Sequence, residues 1–131
     1  LVHGVALRPA SPTGFGTIGS RLVFLLPGNP VSCLCAYDLF AGRAIRRLGG
    51  RRSEWPYPSG EYILTSKISS QVGRVDYVRL RIRGEQAEPL VIRGVSLLSS
   101  TTRADGFLLV PRDCEGYAEG EKVRIHLYDT P

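Results

Sequence analysis

Leu25-Leu-Pro-Gly-Asn-Pro-Val-Ser32 lies between an apolar run, Arg21–Leu26, and an apolar-periodic run, Val31–Leu48. That order predicts a strand, a tight loop and a helix. Pro27 and Pro30 fix φ and stiffen the loop, and Gly28 permits backbone conformations that other residues resist. Asn29 is placed to be the N-cap. Pro30 then falls at the first helical position, where its missing N–H costs nothing. A rigid loop ending at a helix N-terminus offers backbone N–H groups and a dipole that favour an anion. The same stretch also fits an ordinary strand-to-helix turn of an α/β domain.

Upstream, Leu1–Ser20 reads as a strand followed by an irregular segment, because two prolines and two glycines fall within Arg8–Gly16. Arg21–Leu26 has the continuous apolar pattern of a strand buried on both faces, as in a parallel sheet. Downstream, Leu34, Tyr37, Ala41, Ile45 and Leu48 form one apolar stripe. Gly42 is a weak point in that helix, and Gly49-Gly50 supplies its stop.

Arg51–Gly60 has no periodicity and two prolines, and beyond it the pattern turns strand-like. Glu61–Ser69, Asp76–Ile82, Leu90–Ile92, Phe107–Val110 and Lys122–Leu127 read as short strands separated by turn residues, the pattern of a small antiparallel sandwich or barrel. In Asp76–Ile82, Tyr77, Arg79 and Arg81 fall on one face. Val78, Leu80 and Ile82 fall on the other. The expected organisation is therefore an α/β segment over residues 1–50, a linker over 51–60 and a β-barrel over 61–131.

At 131 residues and 43% hydrophobic, the chain can bury a normal core, and no apolar run approaches the length of a membrane span. It opens on Leu1 and contains no Met, which points to a fragment or a processed product. Seventeen basic residues, nearly all Arg, against twelve acidic ones give a net charge of +5, suited to an anionic partner. Arg46, Arg47, Arg51 and Arg52 cluster at the expected helix end, where they also complement its dipole. Cys33, Cys35 and Cys114 make neither a zinc motif nor a disulfide framework and read as small apolar fillers.

Several motifs together resemble one family. Val5-Ala-Leu-Arg-Pro-Ala-Ser-Pro-Thr-Gly-Phe-Gly16 precedes Leu26-Pro-Gly-Asn-Pro-Val-Ser32. Gly73-Arg-Val-Asp-Tyr-Val-Arg79, Ser99-Ser100, Arg103-Ala-Asp-Gly-Phe107 and Glu115-Gly-Tyr-Ala-Glu-Gly-Glu-Lys-Val123 follow in order. In order and spacing they resemble the end of the molybdopterin molybdenumtransferases, the MoeA/gephyrin family. The resemblance implies a fold class that is mostly β with a small α/β segment. The segment would be the strand-loop-helix tail of a three-layer α/β molybdopterin-binding domain, and a C-terminal β-barrel would follow it. It also implies insertion of molybdenum from molybdate into adenylylated molybdopterin with release of AMP. Mg²⁺ would serve as cofactor on ligands outside this chain, in a cytoplasmic homodimer.

The resemblance further implies substrate-binding roles for Arg8, Ser11, Pro27, Gly28, Asn29, Pro30, Arg79 and Ser96. Arg8 stands where the family usually has lysine and keeps the charge. Ser11 stands where a second lysine is common, and Val95 where a serine is common, with Ser96 beside it. The two prolines shape the loop and carry no charge. By resemblance this chain supplies positioning, and the isolated chain has no turnover.

Two other readings stay open. An interaction module would use Trp55, Tyr57 and Tyr62 near the boundary. A basic β-barrel binding nucleic acid would need aromatics interleaved with Arg on one sheet face, and only Tyr77 beside Arg79 and Arg81 fits. His3 and His126 match nothing and read as surface or packing residues. Asp76 and Arg79 fall on opposite faces of their strand, so no catalytic pair follows from their spacing.

Overall fold

The computed structural model describes residues 1–51, 55–90 and 103–128. The chain divides into two compact units, Leu1–Pro56 and Tyr57–Pro131.

In the first unit, β1 (Val2–His3), β3 (Gly14–Ile18) and β4 (Arg21–Leu25) form an antiparallel sheet in the order β1–β3–β4, while β2 (Leu7–Arg8) is a short extended pair. β3 and β4 pair from Gly14↔Leu25 to Ile18↔Arg21, so Gly19 and Ser20 form a two-residue hairpin turn. Gly19, at φ +59°, takes the left-handed conformation such turns need. The segment read as irregular thus contains a strand, because five cross-strand pairings outweigh the poor strand propensity of its glycines. The parallel pairing expected for Arg21–Leu26 is not found among the described residues, where β4's partner is antiparallel. Leu22 and Leu25 remain half exposed.

The helix begins as expected and then departs. α1 (Pro30–Ala36) is followed by a π-helical turn (Tyr37–Ala41) and by α2 (Gly42–Leu48), which ends at Gly49. Asn29 is the N-cap and Pro30 opens the helix. The buried side is made by Val31, Cys35, Ala36, Ala41 and Gly42. Leu34, Tyr37, Ile45 and Leu48 of the expected apolar stripe are exposed instead. Small residues win the inner face because they let the helix approach its neighbours closely. A Cβ on Gly42 would press on the Tyr37 ring and carbonyl at 3.0 Å, so glycine there makes room for that ring. Phe40, within the π turn, stacks on Phe15 of β3 at 5.6 Å, and Phe15 meets Phe24 of β4 at 6.0 Å. That aromatic row holds helix to sheet.

The second unit is a closed five-stranded barrel. β5 (Ser59–Leu64), β7 (Val75–Arg83), β8 (Gln86–Pro89), β9 (Gly106–Val110) and β11 (Lys122–Leu127) pair in the order β7–β8–β5–β11–β9, and β9 returns to β7. β5–β8 is parallel and the other four pairings are antiparallel. Closure follows from the length of β7: Asp76–Leu80 pair with β9, and Leu80–Arg83 pair with β8. β6 (Ile68–Ser69) and β10 (Gly116–Tyr117) add a small antiparallel sheet. β8 and β10 were not anticipated by periodicity. The expected Leu90–Ile92 strand falls mainly outside the described residues, as do Val95, Ser96, Ser99 and Arg52.

Leu64, Ile68, Leu80, Ala87, Leu108, Val110, Val123 and Ile125 fill the barrel. Each large aliphatic side chain so buried contributes about 1.5–3 kcal/mol. Arg124 lies opposite Glu61, and Arg81 opposite Glu88, so the ladder sets unlike charges across from each other.

Candidate functional site

The residues singled out from the sequence divide between the two units. In the first, Arg8 is exposed at the start of a short loop that runs through cis Pro9, Ala10 at φ +91°, and exposed Ser11. Thr13 fixes this loop: it is buried, and its hydroxyl donates to the Ala10 carbonyl at 2.7 Å. Val5 N–H donates to the Ser11 carbonyl at 2.9 Å. The Cys35 thiol, one turn beyond the start of α1, points to the Pro9 carbonyl at 3.6 Å. The Arg8–Ser11 loop is therefore tied to the helix that the Pro27–Pro30 loop begins. Cys35 is a buried filler that also carries this contact.

Pro27 is half-buried, and Gly28, Asn29 and Pro30 are exposed. The Asn29 side-chain oxygen accepts from the N–H groups of Val31 at 3.1 Å and Ser32 at 3.3 Å. Cys33 N–H bonds the Asn29 carbonyl, and Pro30 has none to give. The free first-turn donors expected for an anion are thus already taken by the cap. The loop offers a fixed shape and a side-chain amide rather than open backbone donors. Asn29→Ala is expected to lower stability by about 1 kcal/mol through loss of the cap. Urea denaturation of the two proteins measures it, and no change in midpoint would contradict this role.

In the second unit, alternation along β7 is as expected, with Val78, Leu80 and Ile82 turned inward. The outward face, however, is not solvated. Tyr77 and Arg79 are both about 4% exposed, and the Arg79 guanidinium lies 5.1 Å from the centre of the Tyr77 ring. Tyr77 stacks on fully buried Phe107 at 4.4 Å, and Phe107 stacks on His126 at 5.2 Å. Tyr57 and Tyr128 cover Phe107 from the side at 5.4 and 5.5 Å, and the Tyr77 and Tyr128 hydroxyls are hydrogen-bonded. The outer barrel wall thus carries a second, aromatic core with one arginine in it. Sequence reading put Arg79 on one face with Tyr77 and Arg81 and, by resemblance, in a substrate-binding role, and gave no sign of its burial. The ring against its guanidinium is Tyr77, two residues back on the same strand, and Tyr77 is itself covered by Phe107 of the neighbouring strand. Arg81, the next outward residue, is exposed.

An aromatic-arginine face does exist here, broader than Tyr77 alone suggested. It is closed over by its own rings and offers no open stacking platform for bases. The boundary aromatics are likewise engaged within their own units: Arg43 lies over Trp55 at 5.7 Å, Tyr57 packs on Phe107, and Tyr62 packs against the barrel core.

Asp76 does not meet Arg79; it pairs with Arg74 at 2.9 Å. Asp105, read from sequence as a turn residue, accepts the Ile82 N–H at 2.7 Å where β7 passes from β9 to β8. Gly106 follows because a Cβ there would collide with the His126 carbonyl of β11. The Arg103–Phe107 motif therefore has a barrel-closing role.

Burial, and after it the charge of Arg124, lowers the His126 pKa below its ordinary 6.5. The unfolded chain takes up a proton near that pH which the folded chain resists. The stability due to neutral His126 is thus complete above about pH 6.5 and is lost as the pH falls through it, down to the folded value. His126→Phe, which keeps the ring stack, is expected to show a shallower fall in urea midpoint across this range. An unchanged slope would refute the assignment. Burial, and then Cys114, raises the Tyr117 pKa.

Among the described residues no group of three or more His, Cys, Asp or Glu side chains is gathered to hold a metal ion. No helix of the described residues is long and apolar enough to cross a membrane.

Residues 61–128 match the family described as MoeA C-terminal region (domain IV). A molybdopterin biosynthesis protein of Methanocaldococcus jannaschii is 39% identical over 127 residues, covering 97% of this chain and 29% of that protein. A molybdopterin molybdenumtransferase of Haemophilus influenzae is 25% identical over 130 residues, covering 95% and 32%. A crystal structure of a molybdopterin biosynthesis MoeA protein from Pyrococcus horikoshii superposes with a TM-score of 0.87 at 32% identity, over 98% of this chain and 32% of that one. A molybdenum cofactor biosynthesis protein from Pyrococcus furiosus does so with a TM-score of 0.83 at 34% identity, over 98% and 44%. The chain spans about a third of the length of the curated relatives it matches.

Proposed function

Because the chain belongs to the MoeA C-terminal (domain IV) family, we propose that it works as the C-terminal part of a molybdopterin molybdenumtransferase. In this reading molybdenum passes from molybdate to adenylylated molybdopterin, and AMP is released. The observation that carries it is a match along nearly the whole chain to relatives that bear that name, confined to about a third of their length.

The residues here contribute binding and positioning. Arg8, exposed on a loop tied down by Thr13 and Cys35, offers a guanidinium fork to a phosphate or molybdate oxygen. Ser11 adds a hydroxyl donor beside it. Pro27, Gly28, Asn29 and Pro30 form a floor whose shape is held by the cap. In the second unit Arg79, packed on Tyr77, is a cation fixed in direction, and Ser96 would offer a hydroxyl donor. A magnesium ion would be held outside this chain, and the working protein would be a cytoplasmic homodimer.

The test is a chimera in which this chain replaces the C-terminal part of the Haemophilus influenzae transferase. Molybdate-dependent AMP release from adenylylated molybdopterin is expected from the chimera and not from the isolated chain. Arg8→Ala in the chimera is expected to lower the rate by about 10²-fold, as removal of a charge-stabilising donor does. A folded chimera that neither binds adenylylated molybdopterin nor releases AMP would overturn the reading.

A further inference from the structure

The net charge is not shared between the units. Leu1–Pro56 holds seven arginines against two acidic residues and so carries the whole excess of +5, while Tyr57–Pro131 is balanced. Three of those arginines, Arg46, Arg47 and Arg51, lie at the end of α2. Arginines at a helix C-terminus ordinarily answer unpaired carbonyls and the dipole. Here the carbonyls are already met by backbone: Gly49 N–H reaches Ile45 at 2.9 Å, Gly50 reaches Arg47 at 3.1 Å, and Arg51 reaches Arg46 at 2.8 Å. The last bond also sets Arg46 and Arg51 side by side.

Arg46 Nε is shielded from solvent and has no hydrogen-bond partner among the described residues. Arg46, Arg47 and Arg51 make no ion pair among the described residues. Between them Ile45 and Leu48 are 58% and 74% exposed.

We propose that the end of α2 docks an acidic segment of a partner protein, its carboxylates on Arg46, Arg47 and Arg51 and its apolar side chains on Ile45 and Leu48. Carboxylates match the guanidinium fork. Interleaved aliphatic side chains suit a polypeptide. A nucleic-acid strand would call for aromatic faces, and the ring at this end, Trp55, lies under Arg43.

The test uses fluorescence anisotropy of a labelled glutamate-rich peptide with interspersed leucines, added to the full chain. Binding that weakens with salt is expected. Arg46→Gln/Arg47→Gln/Arg51→Gln should weaken it roughly tenfold or more. Arg46→Lys, which keeps the charge and loses the guanidinium fork, should give a smaller loss, and replacing the leucines by serines should also weaken binding. Arg83→Gln/Arg112→Gln, on the barrel, should leave affinity unchanged, with circular dichroism showing every variant folded. The proposal is overturned if the wild-type chain does not bind the peptide, if the triple variant binds as well as wild type, or if the barrel variant loses as much. Single-stranded DNA binding more tightly at the same arginines would reassign the patch to nucleic acid and overturn it too.

Discussion

Gly116→Ala is expected to remove a large share of the barrel's stability, about 3 kcal/mol or more. Gly116 sits at φ +118°, where a side chain is strained, and it pairs with Ser69 across the β6–β10 sheet. A Cβ at this position would enter the Ile68 carbonyl oxygen and come within 2.8 Å of its carbon. Both are rigid backbone atoms, and Ile68 is a member of the barrel core. Moving them would break the ladder or withdraw that core side chain. Strain at the backbone costs about 1–3 kcal/mol and forced repacking a similar amount, so a loss of about 3 kcal/mol or more is expected. A domain of about 75 residues has only roughly 4–11 kcal/mol to lose. Gly120 is the natural comparison, at φ +81° with nothing near the position a Cβ would take. Gly120→Ala should cost only about 1 kcal/mol. Urea midpoints of the two variants decide the matter: equal losses would mean that the close approach at Gly116 is not what constrains it.

Phe107→Ala is expected to cost about 3–5 kcal/mol, the range for a fully buried aromatic. Phe107 faces away from the aliphatic interior, and by simple alternation it would be a surface residue. It is instead the centre on which Tyr57, Tyr77, His126 and Tyr128 converge. Its removal would leave a cavity under Tyr57 and Tyr128 and loosen the ring that carries Arg79. The loss should appear in the urea midpoint, with a fall in near-ultraviolet circular dichroism as the tyrosines gain freedom. A change under about 1 kcal/mol would mean the rings close over the gap and are not a core.

Features governed by local chemistry were readable in the sequence. Asn29 as cap, Pro30 at the first helical position and Gly49 as the stop depend on a few neighbouring residues, and all three stand as expected. The alternation of Asp76–Ile82 likewise gave the two faces of β7 correctly. What sequence could not supply was the occupant of each face. Leu34, Ile45 and Leu48 share a helix side, yet the inner side went to Val31, Cys35 and Ala36, because close approach selects small residues over large ones. The burial of Tyr77 and Arg79 had no local signature, because it depends on Phe107 of a neighbouring strand, which alternation alone turns to the surface. β3 was hidden by its own glycines and became a strand only through β4.

Of the candidate site, the tie between the Arg8–Ser11 loop and α1 had no signature beyond a cysteine read as filler. The capture of the first-turn donors by Asn29 was implicit in the cap itself. A side chain that caps a helix removes the donors that would otherwise receive an anion.

The π turn at Tyr37–Ala41 bears on the tolerance of this helix to changes in chain length. Each α-helical residue advances the side chains by about 100°, and the wider π turn uses about one residue more for the same advance and rise, so the residues after it keep the phase they would have in an unbroken α-helix one residue shorter. Deleting one residue between Tyr37 and Ala41 would let the segment relax into an unbroken α-helix of nearly the same length. Ala41, Gly42 and the residues after them would keep the sides they now present, whereas a deletion within α1 or α2 would turn everything after it by about 100°. The π turn is therefore the place where this helix best absorbs the loss of one residue, and the lengths of α1 and α2 are under tighter constraint than its own.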